Sequence, residues 1–144
     1  MSTIQQGFRL EIAPKESKLD ARGHSLLNQG RSFLELPLEH IHTRDVYSLY
    51  LRCSESEINR IAEAFRNPVL HTANVGESTP TYSFDWSVVV GFKPGVTDNV
   101  ARSAQEAAAD ILGRPLQEDE GIYSSTEHFI RAPELNRGDI QQLA

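Results

Sequence analysis

Four groupings of side chains in this 144-residue chain are of types that can do chemistry. His40-Ile41-His42 places two imidazoles on one side of an extended segment. They would start a zinc site if Cys53 or His71 supplied a third ligand. No such ligand stands at a telling spacing, so the plainer expectation is exposed histidines at a strand edge. Glu118-Asp119-Glu120, followed by Gly121, has the carboxylate density of a cation site or of a patch for a basic partner. Short acidic runs in loops are ordinarily solvated surface. Cys53, the only cysteine, stands just before a helix start, where a thiolate can be stabilised. Its alternation with Tyr47, Leu49 and Leu51 puts it instead on a buried face, where cysteine packs. Lys15 and Lys93 each precede a turn and then an aspartate. With Pro94 and Gly95 in the second turn, they are the candidates for contacting a partner or an anion at a helix start. His24 and His128 are isolated.

The remaining composition excludes several classes. A net charge of −6 argues against nucleic acid as a partner. No run of 18 apolar residues is present to span a membrane. The lone cysteine excludes an internal disulfide and fits a reducing compartment, and the opening residues lack the blocks of a signal peptide. The expected location is the cytoplasm. No Gly-rich loop ending in Lys-Ser/Thr is present to cradle phosphates. Residues 1–76 carry nine basic and nine acidic side chains, whereas residues 77–144 carry five and eleven. The change falls in a polar Gly- and Pro-containing stretch, which reads as a linker over 77–83 between units at 1–76 and 84–144.

These residues need elements to position them. Phe8, Leu10 and Ile12 alternate with Arg9 and Glu11, the period of a half-buried strand. Asp20 can cap a following helix bearing Leu26, Leu27, Phe33 and Leu34, which Gly23 and Gly30 weaken and Pro37 stops. Residues 38–43 and 46–53 are expected as two strands turning at Arg44-Asp45. Ser54-Glu55-Ser56-Glu57 is a capping box, and Ile58, Ile61, Ala62 and Phe65 form one face of the helix behind it. Residues 69–75 return as a strand. Residues 84–90 then begin another strand, and Asp98 caps a helix with Val100, Ala104, Ala107, Ala108, Ile111 and Leu112 that Gly113 ends. Short strands follow at 122–125 and 127–131, and a helix opens at Asn136.

The second half repeats the programme of the first. At an offset of 78 residues, six of the 31 positions between Phe8 and Leu38 are identical, among them Lys15/Lys93, Asp20/Asp98 and Pro37/Pro115. Average residue usage would give roughly two. After a small insertion, Ile58 and Ile61 correspond to Ile140 and Leu143. The expected fold is α+β: two tandem β-α-β-β-α-(β) units with antiparallel sheets and helices on one face. The second unit is expected to stop at its second helix, to be completed by a longer chain or by another polypeptide.

Lys15-Glu16-Ser17-Lys18-Leu19-Asp20-Ala21-Arg22-Gly23, directly after a strand, resembles the opening signature of PurS, the small subunit of phosphoribosylformylglycinamidine (FGAM) synthase. Phe92-Lys93-Pro94-Gly95-Val96-Thr97-Asp98-Asn99-Val100-Ala101-Arg102 resembles the PurS-type front segment of fused FGAM synthases. Ala101 stands where that pattern has a small Gly, and Glu16-Ser17 replaces Pro-Gly. The resemblance covers Phe8 to Ala144 and implies a PurS-like tandem duplication arranged as a pseudo-dimer. It implies a non-catalytic scaffold in purine biosynthesis, part of an ATP-dependent C–N ligase that makes FGAM from formylglycinamide ribonucleotide and glutamine. The implied partners are the synthetase and glutaminase domains or subunits. ATP and Mg would be bound by the synthetase, with no cofactor in this chain. Tandem units of this element order also serve as regulatory modules that bind a small metabolite between their copies.

Overall fold

A computed structural model describes residues 5–91 and 98–143 of the chain. Its strands are β1 (Gln6–Pro14), β2 (His40–Leu51), β3 (His71–Val75), β4 (Trp86–Gly91) and β5 (Gly121–Arg131). The α-helices are α1 (Ala21–Ser32), α2 (Glu55–Phe65), α3 (Asn99–Leu112) and α4 (Arg137–Leu143), with one 3-10 turn at Ser17–Leu19. The strands form a single antiparallel sheet in the order β3-β1-β2-β5-β4. The architecture is therefore α+β, with one sheet shared by both halves rather than a sheet for each.

Strand alternation builds the helix-covered face. Leu10 lies opposite Tyr47, Leu49 opposite Ile122, and Ile41 and Trp86 both opposite Ile130. Two apolar clusters lie on this face. Leu10, Ile12, Leu49, Leu51 and Ile122 pack with Ile58 and Ile61 of α2 and Ala104 and Ala108 of α3. Ile41, Ile130 and Trp86 pack with Leu26 and Leu27 of α1 and Ile140 of α4. Each pair of helices thus combines one from either half.

Most helix boundaries follow the signals in the sequence. Ser54 and Glu57 form the reciprocal capping box, with Glu57 N donating to Ser54 Oγ at 3.2 Å and Ser54 N to Glu57 Oε1 at 2.9 Å. Gly113, at φ 71°, ends α3 in the left-handed region that glycine tolerates. Gly23 and Gly30 are sites of close approach. A Cβ on Gly23 would lie 2.5 Å from the Ile41 carbonyl oxygen, and one on Gly30 would lie 2.4 Å from Leu38 Cδ1.

Three expected element boundaries also differ in the structure. The turn expected at Arg44-Asp45 does not occur, because both residues stay in register with Glu127 and Thr126 of β5. A charged pair reads as a turn when its partners are unseen; here Arg44 finds two buried carboxylates (below). For the same reason the segments 122–125 and 127–131 fuse into β5. Phe33 is 83% exposed, because α1 ends at Ser32, one residue short of it and well before Pro37. Among the described residues no helix is long and apolar enough to cross a membrane.

Candidate functional site

The sheet's second face carries its buried charge. Alternation brings Arg9 and Glu11 of β1, His42 and Arg44 of β2, and Glu127 and Phe129 of β5 onto this side. Glu11, Arg44 and Glu127 are 3%, 6% and 7% exposed. The segment between β3 and β4 covers them and is not a free tether. Ser78 donates its Oγ to Glu11 Oε1 at 2.6 Å and its amide to the same oxygen at 3.1 Å. Arg44 Nη1 donates to the Ser78 carbonyl and hydroxyl, both at 3.2 Å. Tyr82 stacks on His42 with ring centroids 3.9 Å apart, and Phe84 meets Phe129 at 4.9 Å.

Within this cover, two guanidinium groups and two carboxylates neutralise one another. Arg44 Nη2 lies 3.1 Å from Glu11 Oε2 and 3.3 Å from Glu127 Oε2, while its Cζ sits 4.9 Å from the centre of the Phe129 ring. Arg9 pairs with Glu11 at 2.9 Å and also bonds Glu127. Burial alone would raise the Glu11 pKa, but hydrogen bonds from Ser78 and Arg9 and the charges of both arginines hold it below the usual carboxylate range. Burial pushes the Tyr82 phenol up to about 12. Burial also lowers the pKa of His42, favouring neutral imidazole. The charges are spent on one another and on the Ser78 backbone, an arrangement that clamps a crossing segment.

A polar cleft of about 400 Å³ opens beside the clamp, lined by Lys15, Asp20, His42, Arg44, Thr72 and Tyr82 among others. Lys15 sits at its rim, where its Nζ bonds the Pro68 carbonyl oxygen and its amide donates to the Leu70 carbonyl at 2.9 Å. Those contacts give Lys15 a fold duty, holding the end of β1 to the turn before β3. Lys93, Pro94 and Gly95 lie outside the described residues.

Asp20 and Asp98 do more than cap. Asp20 accepts the Gly23 amide at 2.9 Å, then reaches β2 to accept the Thr43 amide at 2.6 Å and hydroxyl at 2.7 Å. Asp98 accepts the Ala101 amide at 2.9 Å and, from β5, the Ser124 amide at 3.3 Å and hydroxyl at 2.8 Å. The cap was legible as an aspartate before a helix. The hydroxyl partners, 23 and 26 residues further on, were not.

The other candidates separate. His40 and His42 share a face with ring centroids 6.1 Å apart, but β2 is the central strand, not an edge, and Tyr82 covers His42. The His71 ring accepts the Asn67 amide at 3.1 Å. Cys53 is in the core under α2, where burial raises its thiol pKa. Within the acidic run, Glu120 is held to about 2 by the Arg114 guanidinium, whose Nη1 lies 2.6 Å away, with help from the Arg52 and Gln117 amides. Asp119 accepts Arg52 Nη1 at 2.6 Å. These carboxylates lock the loop before β5. Among the described residues, no group of three His, Cys, Asp or Glu is placed to hold a metal ion. The Glu11–Arg44–Glu127 network was missed at the sequence level. The only signal for it was a charged residue on the face opposite the apolar one in each of three strands.

Neither a family model nor a characterised protein sequence matches the chain.

Proposed function

We propose that this chain is a PurS-like assembly module of FGAM synthase, built from two tandem copies of one unit and docking the synthetase to the glutaminase. The correspondence between the halves carries the reading. Matching Thr43 to Ser124 through their bonds to Asp20 and Asp98 aligns β2 with β5; the pairs Phe8–Leu49 and Leu10–Tyr47 then correspond to Trp86–Ile130 and Val88–His128, and each pair lies opposite in register. The Asp20–Thr43 unit recurs as Asp98–Ser124. Asp45 lies opposite its own counterpart, Thr126, as expected where a two-fold relation passes between β2 and β5. Such a relation is what a fused pseudo-dimer requires, and it supports the resemblance carried by Phe92 to Arg102. In this reading the chain makes and breaks no bonds. ATP, Mg and glutamine chemistry belongs to the partners, and this sheet and its helices hold them together for ammonia transfer.

The test is capture of the native protein from its own cells with an antibody to this region, followed by its covalent mass and its companions. Synthetase and glutaminase sequence, on the same chain or bound to it, is the expected result. Removing the module should then abolish glutamine-dependent FGAM formation while leaving ammonia-dependent formation measurable. A 16.1 kDa chain alone, with saturable binding of a metabolite, would instead identify a regulatory module.

A further inference from the structure

β4 is an edge strand whose only neighbour among the described residues is β5. Beside it, on the helix-covered face, lies a cavity of about 220 Å³ lined by Leu26, Val88, Val90, Ile130, Ile140 and Leu143. His128 also lines it, and its buried Nδ1 has no hydrogen-bond partner among the described residues. An apolar cavity along an open strand edge is an unusual combination, because exposed edges are ordinarily blunted by charge or covered.

The first half shows what belongs there. The counterparts of Val88, Val90, Ile130, Ile140 and Leu143 are Leu10, Ile12, Leu49, Ile58 and Ile61, all buried in the filled core. Besides the helix residues that α2 and α3 turn to the sheet, two things fill it: β3, which pairs with β1 so that Val75 and Ala73 face Leu10 and Ile12, and Phe65 at the end of α2. The counterpart of His128 is Tyr47, whose ring meets Phe65 at 5.0 Å. We infer that the β4 edge and this cavity form a docking site for one extended polypeptide strand of the β3 kind. The strand would lie antiparallel to β4, with small apolar residues facing Val88 and Val90 and an aromatic side chain entering the cavity. This rests on the repeat correspondence proposed above.

The probe is a synthetic peptide of residues 63–76, titrated into the full chain. Trp86, the only tryptophan and the first residue of β4, reports binding by its fluorescence. The expected result is a saturable shift in Trp86 emission, with β4 amides newly protected from hydrogen exchange. Val90→Lys, at a position 45% exposed and so compatible with folding, places a charge at the cavity and should weaken binding by about ten-fold or more. Val89→Lys, on the opposite face of the same strand, should stay within about two-fold of the parent. Absence of saturable binding at millimolar peptide overturns the inference, as does binding indifferent to Val90→Lys. So does a concentration-dependent dimer with β4 amides protected before peptide is added, which would assign the edge to a second copy. An experimental structure retaining both the Asp20–Thr43 and Asp98–Ser124 bonds while the peptide fails to bind would sink the docking site alone. Loss of one of those bonds would count against the repeat itself.

Discussion

Arg44 shows how much one buried side chain can be worth. It sits between Glu11 and Glu127, so Arg44→Ala leaves two carboxylates short of a cation and should cost about 3–5 kcal/mol of folding free energy. Adding Glu127→Gln to that variant should recover part of the loss, and urea unfolding of the parent, the single and the double variant checks both. Protonation acts at the same scale. The folded-state pKa of Glu120 is near 2, well below the ordinary 4.5, so its contribution is complete above about pH 4.5 and is lost as the pH falls towards 2. His42 and His128 are also depressed by burial, so the unfolded chain takes up protons first as the pH drops below about 6.5. Stability should therefore decline in two stages on acidification. Glu120→Gln should shrink the lower stage, to which Glu11 also contributes, and leave the upper one in place, as read from urea midpoints across pH 2–8.

At the scale of elements, close approach and capping set the differences. Replacing glycine by alanine inside a helix ordinarily stabilises it by about 1 kcal/mol. Gly23→Ala should do the reverse and destabilise by about 1–3 kcal/mol, because its Cβ would meet the Ile41 carbonyl, which is backbone and cannot give way. Gly30→Ala should cost less, since the methyls of Leu38 and Leu143 in its path can rotate aside. The two helix caps should differ as well. Ser54→Ala removes an exposed cap and should cost about 1 kcal/mol. Asp20→Ala should cost more, because the buried Thr43 amide and hydroxyl lose their acceptor along with the helix. Urea unfolding of the four single variants ranks them.

The molecule as a whole is joined across its middle. β2 pairs with β5 from His40 opposite Arg131 to Tyr50 opposite Gly121, and both apolar clusters draw helices from the two halves. Cutting between residues 76 and 77 would expose Leu49 and Ile122 and strand Arg44 without Glu127. The 1–76 fragment by itself should therefore not be a cooperatively folded monomer, and mixing it with 77–144 should restore one calorimetric transition. Two separate transitions in the intact chain would contradict this.

Local chemistry made much of this protein legible from its residues. The Ser54 box, the Asp20 and Asp98 caps and the Gly113 stop act within a few residues and can be read in order along the chain. The same holds for the alternation of β1. What required the folded chain were the relations between distant segments. Arg44-Asp45 reads as a turn until Glu11 and Glu127 stand beside it in neighbouring strands. The stretch after Val75 reads as a tether until Ser78 and Tyr82 lie on the sheet. A buried charge or a crossing loop is stabilised by groups many residues away, so its conformation is decided only when tertiary packing brings those groups within bonding distance and removes the water that would otherwise solvate them.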